Sequence, residues 1–181
     1  MNLANKLTLF RILVIPPFVL SFYWNTVLCV TLFILAALTD FLDGWVARHF
    51  NQETPLGKFL DPVADKLIVI CALFLITAAY QTWWITLAAL MIALREITVA
   101  SLREWLAQAR ARTLPVSFWG KLKTTTQLLA LTVLLTQAEL TSSWGVLGGL
   151  LLWLAAGLAL LSLGQYIWHN RAAFAPIDTL K

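Results

Sequence analysis

The chain has 181 residues, of which 60% are hydrophobic and 12% charged, with a formal net charge of +4. Together with a mean hydropathy of +0.80, this excludes a soluble globular domain and a disordered chain, and points to a polytopic membrane protein. The positive balance suits an anionic inner leaflet and calls for no nucleic-acid partner. One domain over 1–181 is expected, since no linker, repeat or low-complexity run divides it. Cys29 and Cys71 lie in apolar stretches and read as small hydrophobes, with no disulfide framework.

In chain order, apolar stretches predict an all-α fold of six transmembrane helices near 9–25, 27–49, 58–80, 83–106, 117–138 and 144–168, each able to cross roughly 30 Å of hydrocarbon. The first segment has the charge pattern of a signal peptide, with Lys6 and Arg11 ahead of an apolar run. Pro16-Pro17 and the bulky Phe22-Tyr23-Trp24 leave no small-residue cleavage site, so the segment is expected to stay. Asn5, Thr8 and Arg11, at steps of three, form one polar edge whose simplest reading is a cytoplasmic anchor with a snorkelling arginine.

The second and third segments carry the densest chemistry. Residues 40–65 read D-F-L-D-G-W-V-A-R-H-F-N-Q-E-T-P-L-G-K-F-L-D-P-V-A-D. On a helix, Asp40 and Asp43 share a face with Gly44 and Ala47, and Asp61 and Asp65 share one with Gly57. A tight reversal near 49–56 brings Asp40 level with Asp65 and Asp43 level with Asp61. Four carboxylates lined by residues with almost no side chain need a cation. Oxygen-only ligands suit one or two hard divalent ions, Mg²⁺ or Mn²⁺, and the lack of clustered Cys and His argues against zinc. Solvated helix ends are the bland alternative, but acids at membrane depth cost about 2.5–3.5 kcal/mol each and usually mark function.

The fourth segment places Arg95-Glu96 and Arg103-Glu104 in an apolar helix, with Thr98 and Ser101 between. The arginines lie about 12 Å apart along the axis and nearly on one side. A structural reading pairs Glu96 with an arginine of a neighbouring helix and lets Arg103 snorkel; the functional reading is an anion site. The fifth segment opens Gly120-Lys121-Leu122-Lys123-Thr124-Thr125-Thr126-Gln127, and lysines and hydroxyls at a helix start suit a phosphate, although two lysines there are also routine topology signals. The sixth, with Gly145, Gly148, Gly149, Gly157 and Gly164, offers small faces for close packing. His49 and His169 are not expected to act in catalysis.

Basic residues set the orientation. Lys6 and Arg11, Arg48 and Lys58, Arg110 with Arg112, Lys121 and Lys123, and Arg171 and Lys181 flank one set of connections, whereas those near 24–27, 81–82 and 139–143 carry no Lys or Arg. Both termini are therefore expected in the cytoplasm, with Tyr23, Trp24, Tyr80, Trp83, Trp84 and Trp144 at the outer edge.

The spacing D-x-x-D-G-x-x-A-R-x8-G-x3-D-x3-D, complete from Asp40 to Asp65, resembles the signature of the CDP-alcohol phosphotransferases, integral membrane enzymes that move a phosphatidyl or related group from a CDP-linked donor to an alcohol and release CMP. The resemblance implies that Asp40, Asp43, Asp61 and Asp65 hold the metal, that Asp65 is the general base, and that Gly44, Ala47, Gly57 and Arg48 accommodate the CDP moiety. The edge of Asn5 and Thr8 resembles a segment near the nucleotide in bacterial members, with Ala4 where proline is common. Arg95, Arg103, Lys121 and Lys123 add a likeness to the bacterial branch that makes phosphatidylglycerophosphate. That branch implies CDP-diacylglycerol as donor, sn-glycerol 3-phosphate as acceptor with its phosphate held by those four cations, and a homodimer among membrane lipids of a bacterial inner membrane, its active site facing the cytoplasm. Other readings stay open: a cardiolipin synthase, which needs a second lipid entrance and fewer buried cations; a divalent-cation transporter, for which no inverted repeat is present; and a scaffold, which leaves the acids unexplained.

Overall fold

A computed structural model of the chain describes residues 3–50, 55–108, 118–137 and 139–171, except that the side chains of 3–8, 40–50, 55–62, 65, 107, 108, 118, 119 and 121 fall outside the description. The described residues form six α-helices and no strand: α1 Leu3–Trp24, α2 Thr26–Phe50, α3 Pro55–Tyr80, α4 Trp83–Gln108, α5 Phe118–Leu135 and α6 Ser143–His169. Each coincides with one expected segment. Within the described residues, α4 over Trp83–Leu106 and α6 over Ser143–His169 are long and apolar enough to span a membrane.

The burial pattern suits a lipid-facing bundle. Leu13, Phe74, Leu150 and Leu161 are largely exposed on the outside, while Phe18, Phe33, Ile76, Ile85, Leu131, Leu134 and Leu152 are buried within it. Helix α1 packs against α2 and α3, α5 lies along α6, and α4 packs on α6 and α3. Pro16 and Pro17 lie on the exposed face of α1. Their missing N–H groups leave carbonyls unbonded there, which neighbouring groups and local helix adjustment accommodate.

Local chemistry makes the connections tight. Asn25 is the single residue between α1 and α2; its N–H donates to the Ser21 carbonyl at 2.7 Å, and its Oδ1 caps α2 by accepting from Leu28 N at 3.0 Å. Gln81 takes φ 47° and Gln137 φ 58° just past α3 and α5, left-handed positions that end a helix. The same region is cross-tied. Tyr80 Oη donates to the Leu134 carbonyl at 3.0 Å and Gln137 Nε2 to the Phe22 carbonyl at 2.7 Å.

One expectation needs correction in part. Gly145, Gly148 and Gly149 do permit close packing: a Cβ on Gly149 would stand 2.5 Å from the Trp84 ring, one on Gly148 2.8 Å from Leu134, and one on Gly145 would collide with the Glu139 backbone. Gly157 and Gly164 do not, having nothing within 4 Å of that position. Of the aromatics near the helix ends, Tyr23, Trp24, Trp83 and Trp144 are exposed, while Tyr80, tied to α5, and Trp84, in the Gly149 notch, are half-buried.

Candidate functional site

Three of the four cations expected at an anion site, Arg95, Arg103 and Lys123, converge on a cavity of about 320 Å³ at the end of the bundle away from Asn25 and Gln81. Lys121 lies outside the described side chains. Helices α1 to α5 all contribute to the wall, and α1 and α3 add two further cations, Arg11 and Lys66. Glu96 is the one carboxylate among the described lining residues. Arg11 and Lys123 are almost wholly buried, at 1% and 3% exposure. Burying charge is costly unless opposite charge compensates, and for Lys123 Glu96 supplies part of that charge.

The cations are held from several helices. Glu96 of α4 accepts from Lys123 Nζ of α5 through Oε1, and its Oε2 lies 3.5 Å from Arg95 Nη1. The expected partner from a neighbouring helix is thus present, but it is a lysine. Arg95 Nη2 donates to Ser162 Oγ of α6 at 2.7 Å, and the Ser162 hydroxyl in turn donates to the Ala159 carbonyl at 3.0 Å. Arg95 Nε is buried with no hydrogen-bond partner. The Arg103 guanidinium stands over the Tyr166 ring at 5.9 Å from its centroid, within cation–π range. On α5, Gly120, Lys123, Thr124 and Gln127 line the cavity at the i, i+3, i+4, i+7 positions of one helix face. Gln127 is buried and its Oε1 has no partner.

The side chains of Asp40, Asp43, Gly44, Ala47, Arg48, Gly57, Asp61 and Asp65 lie outside the described residues, as do those of Asn5 and Thr8. Backbone register still relates the aspartate positions to the cavity. Ala36 lines it one turn before Asp40 in α2, and Val69 lines it one turn after Asp65 in α3. Both helices are continuous through the motif, with only residues 51–54 between them.

Sequence reasoning missed several members of this wall. Arg11, whose simplest reading was a snorkelling arginine, is buried and lines the basic cavity. Lys66 had a signal in its place beside Asp65, and Gln127 in its helical spacing from Lys123. Ser162 and Tyr166 had none, because they meet Arg95 and Arg103 across more than 60 residues of chain.

Comparison with known proteins places the chain among phosphatidyltransferases. The family model described as CDP-alcohol phosphatidyltransferase matches residues 1–161. A CDP-diacylglycerol–glycerol-3-phosphate 3-phosphatidyltransferase of Sodalis glossinidius is 44% identical over 177 residues, covering 94% of this chain and 96% of its own. The proteins of that name from Pectobacterium atrosepticum and Escherichia coli K12 are 45% identical over 172 residues, covering 92% of this chain and 93% of their own, and 44% over 177, covering 94% and 96%.

Proposed function

The chain belongs to the CDP-alcohol phosphatidyltransferase family, and from that premise we propose that it transfers the phosphatidyl group of CDP-diacylglycerol to sn-glycerol 3-phosphate. The products are phosphatidylglycerophosphate and CMP, a step of phosphatidylglycerol and cardiolipin biosynthesis. The observation that carries the acceptor is the convergence of Arg95, Arg103 and Lys123 from two helices on one cavity. Paired guanidinium donors suit an acceptor that bears a phosphate dianion better than one without net negative charge, such as serine or inositol. At about 320 Å³, the space lies at the small end of ligand pockets, roughly 300–1,000 Å³.

Arg95, Arg103, Lys121 and Lys123 bind the acceptor phosphate, the arginines through paired N–H donors. Asp40, Asp43, Asp61 and Asp65 would hold Mg²⁺ or Mn²⁺. The donor set fits such an ion, since the motif supplies oxygens alone and no His or Cys occurs on the described cavity wall. When bound, the metal supplies positive charge to the donor's pyrophosphate and to the oxygen that leaves with CMP. Asp65 takes the proton from the primary hydroxyl of glycerol 3-phosphate, that oxygen attacks the lipid-side phosphorus, and the bond to CMP breaks. Gly44, Ala47 and Gly57 leave room for the CDP moiety, with Arg48, Asn5 and Thr8 beside it. The bundle crosses a bacterial inner membrane six times with both termini in the cytoplasm, acts as a homodimer, and opens its site to the cytosol and to the bilayer.

The test is CMP release from CDP-diacylglycerol by the purified protein in detergent with Mg²⁺, comparing glycerol 3-phosphate with glycerol, serine, inositol and phosphatidylglycerol. Release that needs both the metal and glycerol 3-phosphate is expected. Release with another acceptor overturns the reading of the basic cavity, and none with any acceptor overturns the reaction.

A further inference from the structure

We propose that Ser162 is a positioning residue for the acceptor site, fixing the direction in which Arg95 presents its guanidinium to the cavity. The inference rests on the reading that Arg95 binds the acceptor phosphate. Arginine has a long side chain with many rotamers, and a guanidinium left to wander loses the alignment that makes a paired contact with phosphate strong. The direct hydrogen bond that the described residues give Arg95 is the one from Nη2 to Ser162 Oγ at 2.7 Å; Glu96, next to it in the chain, stands at 3.5 Å from Nη1.

Ser162 suits this task in three respects. Its proton is committed to the Ala159 carbonyl, so its oxygen presents lone pairs to Arg95 and can act there only as an acceptor. It is buried on α6, which contributes no lining residue to the cavity, so it acts on a ligand only through Arg95. One turn further along α6, Tyr166 lies under Arg103. The helix that carries none of the motif residues therefore backs both arginines of α4, and α4 and α6 pack together along that line.

The experiment measures KM for glycerol 3-phosphate, KM for CDP-diacylglycerol and kcat in Ser162→Ala, Ser162→Thr, Arg95→Ala and the Arg95→Ala/Ser162→Ala double variant. Ser162→Ala is expected to raise KM for glycerol 3-phosphate about tenfold, the order lost with one hydrogen bond to a charged group, leaving KM for CDP-diacylglycerol unchanged. Ser162→Thr keeps a hydroxyl and restores KM for the acceptor. The double variant is no worse than Arg95→Ala alone, since the serine acts through the arginine. If Arg95→Ala raises KM for the acceptor and Ser162→Ala does not, or if Ser162→Ala impairs both substrates alike, the positioning role is wrong while the acceptor site stands. Unchanged acceptor KM in Arg95→Ala overturns the reading of Arg95 itself and the role of Ser162 with it.

Discussion

Glu96→Gln removes the carboxylate that balances the cavity wall while keeping the shape of the side chain. Glu96 lies 3.5 Å from Arg95 and accepts a hydrogen bond from Lys123, and its side chain is 13% exposed. At that separation and an effective dielectric of about 20, one ion pair amounts to roughly 5 kcal/mol. Glutamine still accepts from Lys123, so the net loss is about 3 kcal/mol, the low end for breaking a buried pair. For a chain of this size that corresponds to a drop in thermal midpoint of about 6–12 °C. The same change removes one counter-ion that Arg95 and Lys123 share, so the acceptor phosphate has more positive charge to neutralise. Glycerol 3-phosphate should then raise the midpoint further in the variant than in the parent, where a ligand at 100 times its Kd adds about 2.7 kcal/mol. Thermal unfolding in detergent, with and without glycerol 3-phosphate, reads both effects. A midpoint within about 2 °C of the parent, or a ligand shift smaller in the variant, would refute the idea that Glu96 and the acceptor phosphate share one set of cations.

Five other substitutions probe separate parts of the chain. Asp65→Asn is expected to abolish CMP release while most CDP-diacylglycerol binding remains, whereas Asp61→Asn also weakens metal-dependent binding; equal binding losses by titration would count against distinct roles. Gly149→Val places atoms where a first Cβ already meets the Trp84 ring at 2.5 Å and should cost about 1–3 kcal/mol. Gly157→Ala, facing open space, should stabilise by about 0.5–1 kcal/mol, and equal midpoints for the two would rule out the notch. Gln127→Leu replaces a buried amide whose oxygen has no partner and should raise stability by about 1 kcal/mol; a fall in midpoint would mean that the amide is satisfied in the folded protein.

The bundle was legible because its signals are local. Runs of apolar residues end where Asn25 caps a helix or Gln81 turns left-handed, and each break falls within a few residues of the expected one. The basic site was half legible. Arg95 and Arg103 recur on one side of one helix, and a repeat of that kind can be counted in a sequence. Lys123 was visible through its place at a helix start. Arg11 was read as a snorkelling arginine because periodicity gives the face of a helix and not the helix it meets. Ser162 and Tyr166 were invisible for the same reason, as a serine and a tyrosine in an apolar helix carry no mark of the arginines opposite them. Gly157 and Gly164 show the converse: small residues in an apolar helix look alike whether they seat a neighbour or face open space.

The cross-ties at the far end bear on a different property of the proposed membrane bundle, its electrical tightness. A protein that sinks five cations into a bilayer offers ions and protons part of a route across. Phe33 lines the cavity and packs against Phe18, with ring centroids 5.9 Å apart, Ile76, Leu131 and Leu134 belong to the same buried apolar core, and Tyr80 and Gln137 bond to backbone carbonyls at the other end. In the proposed membrane bundle this core would separate a charged cavity on one side from the opposite face.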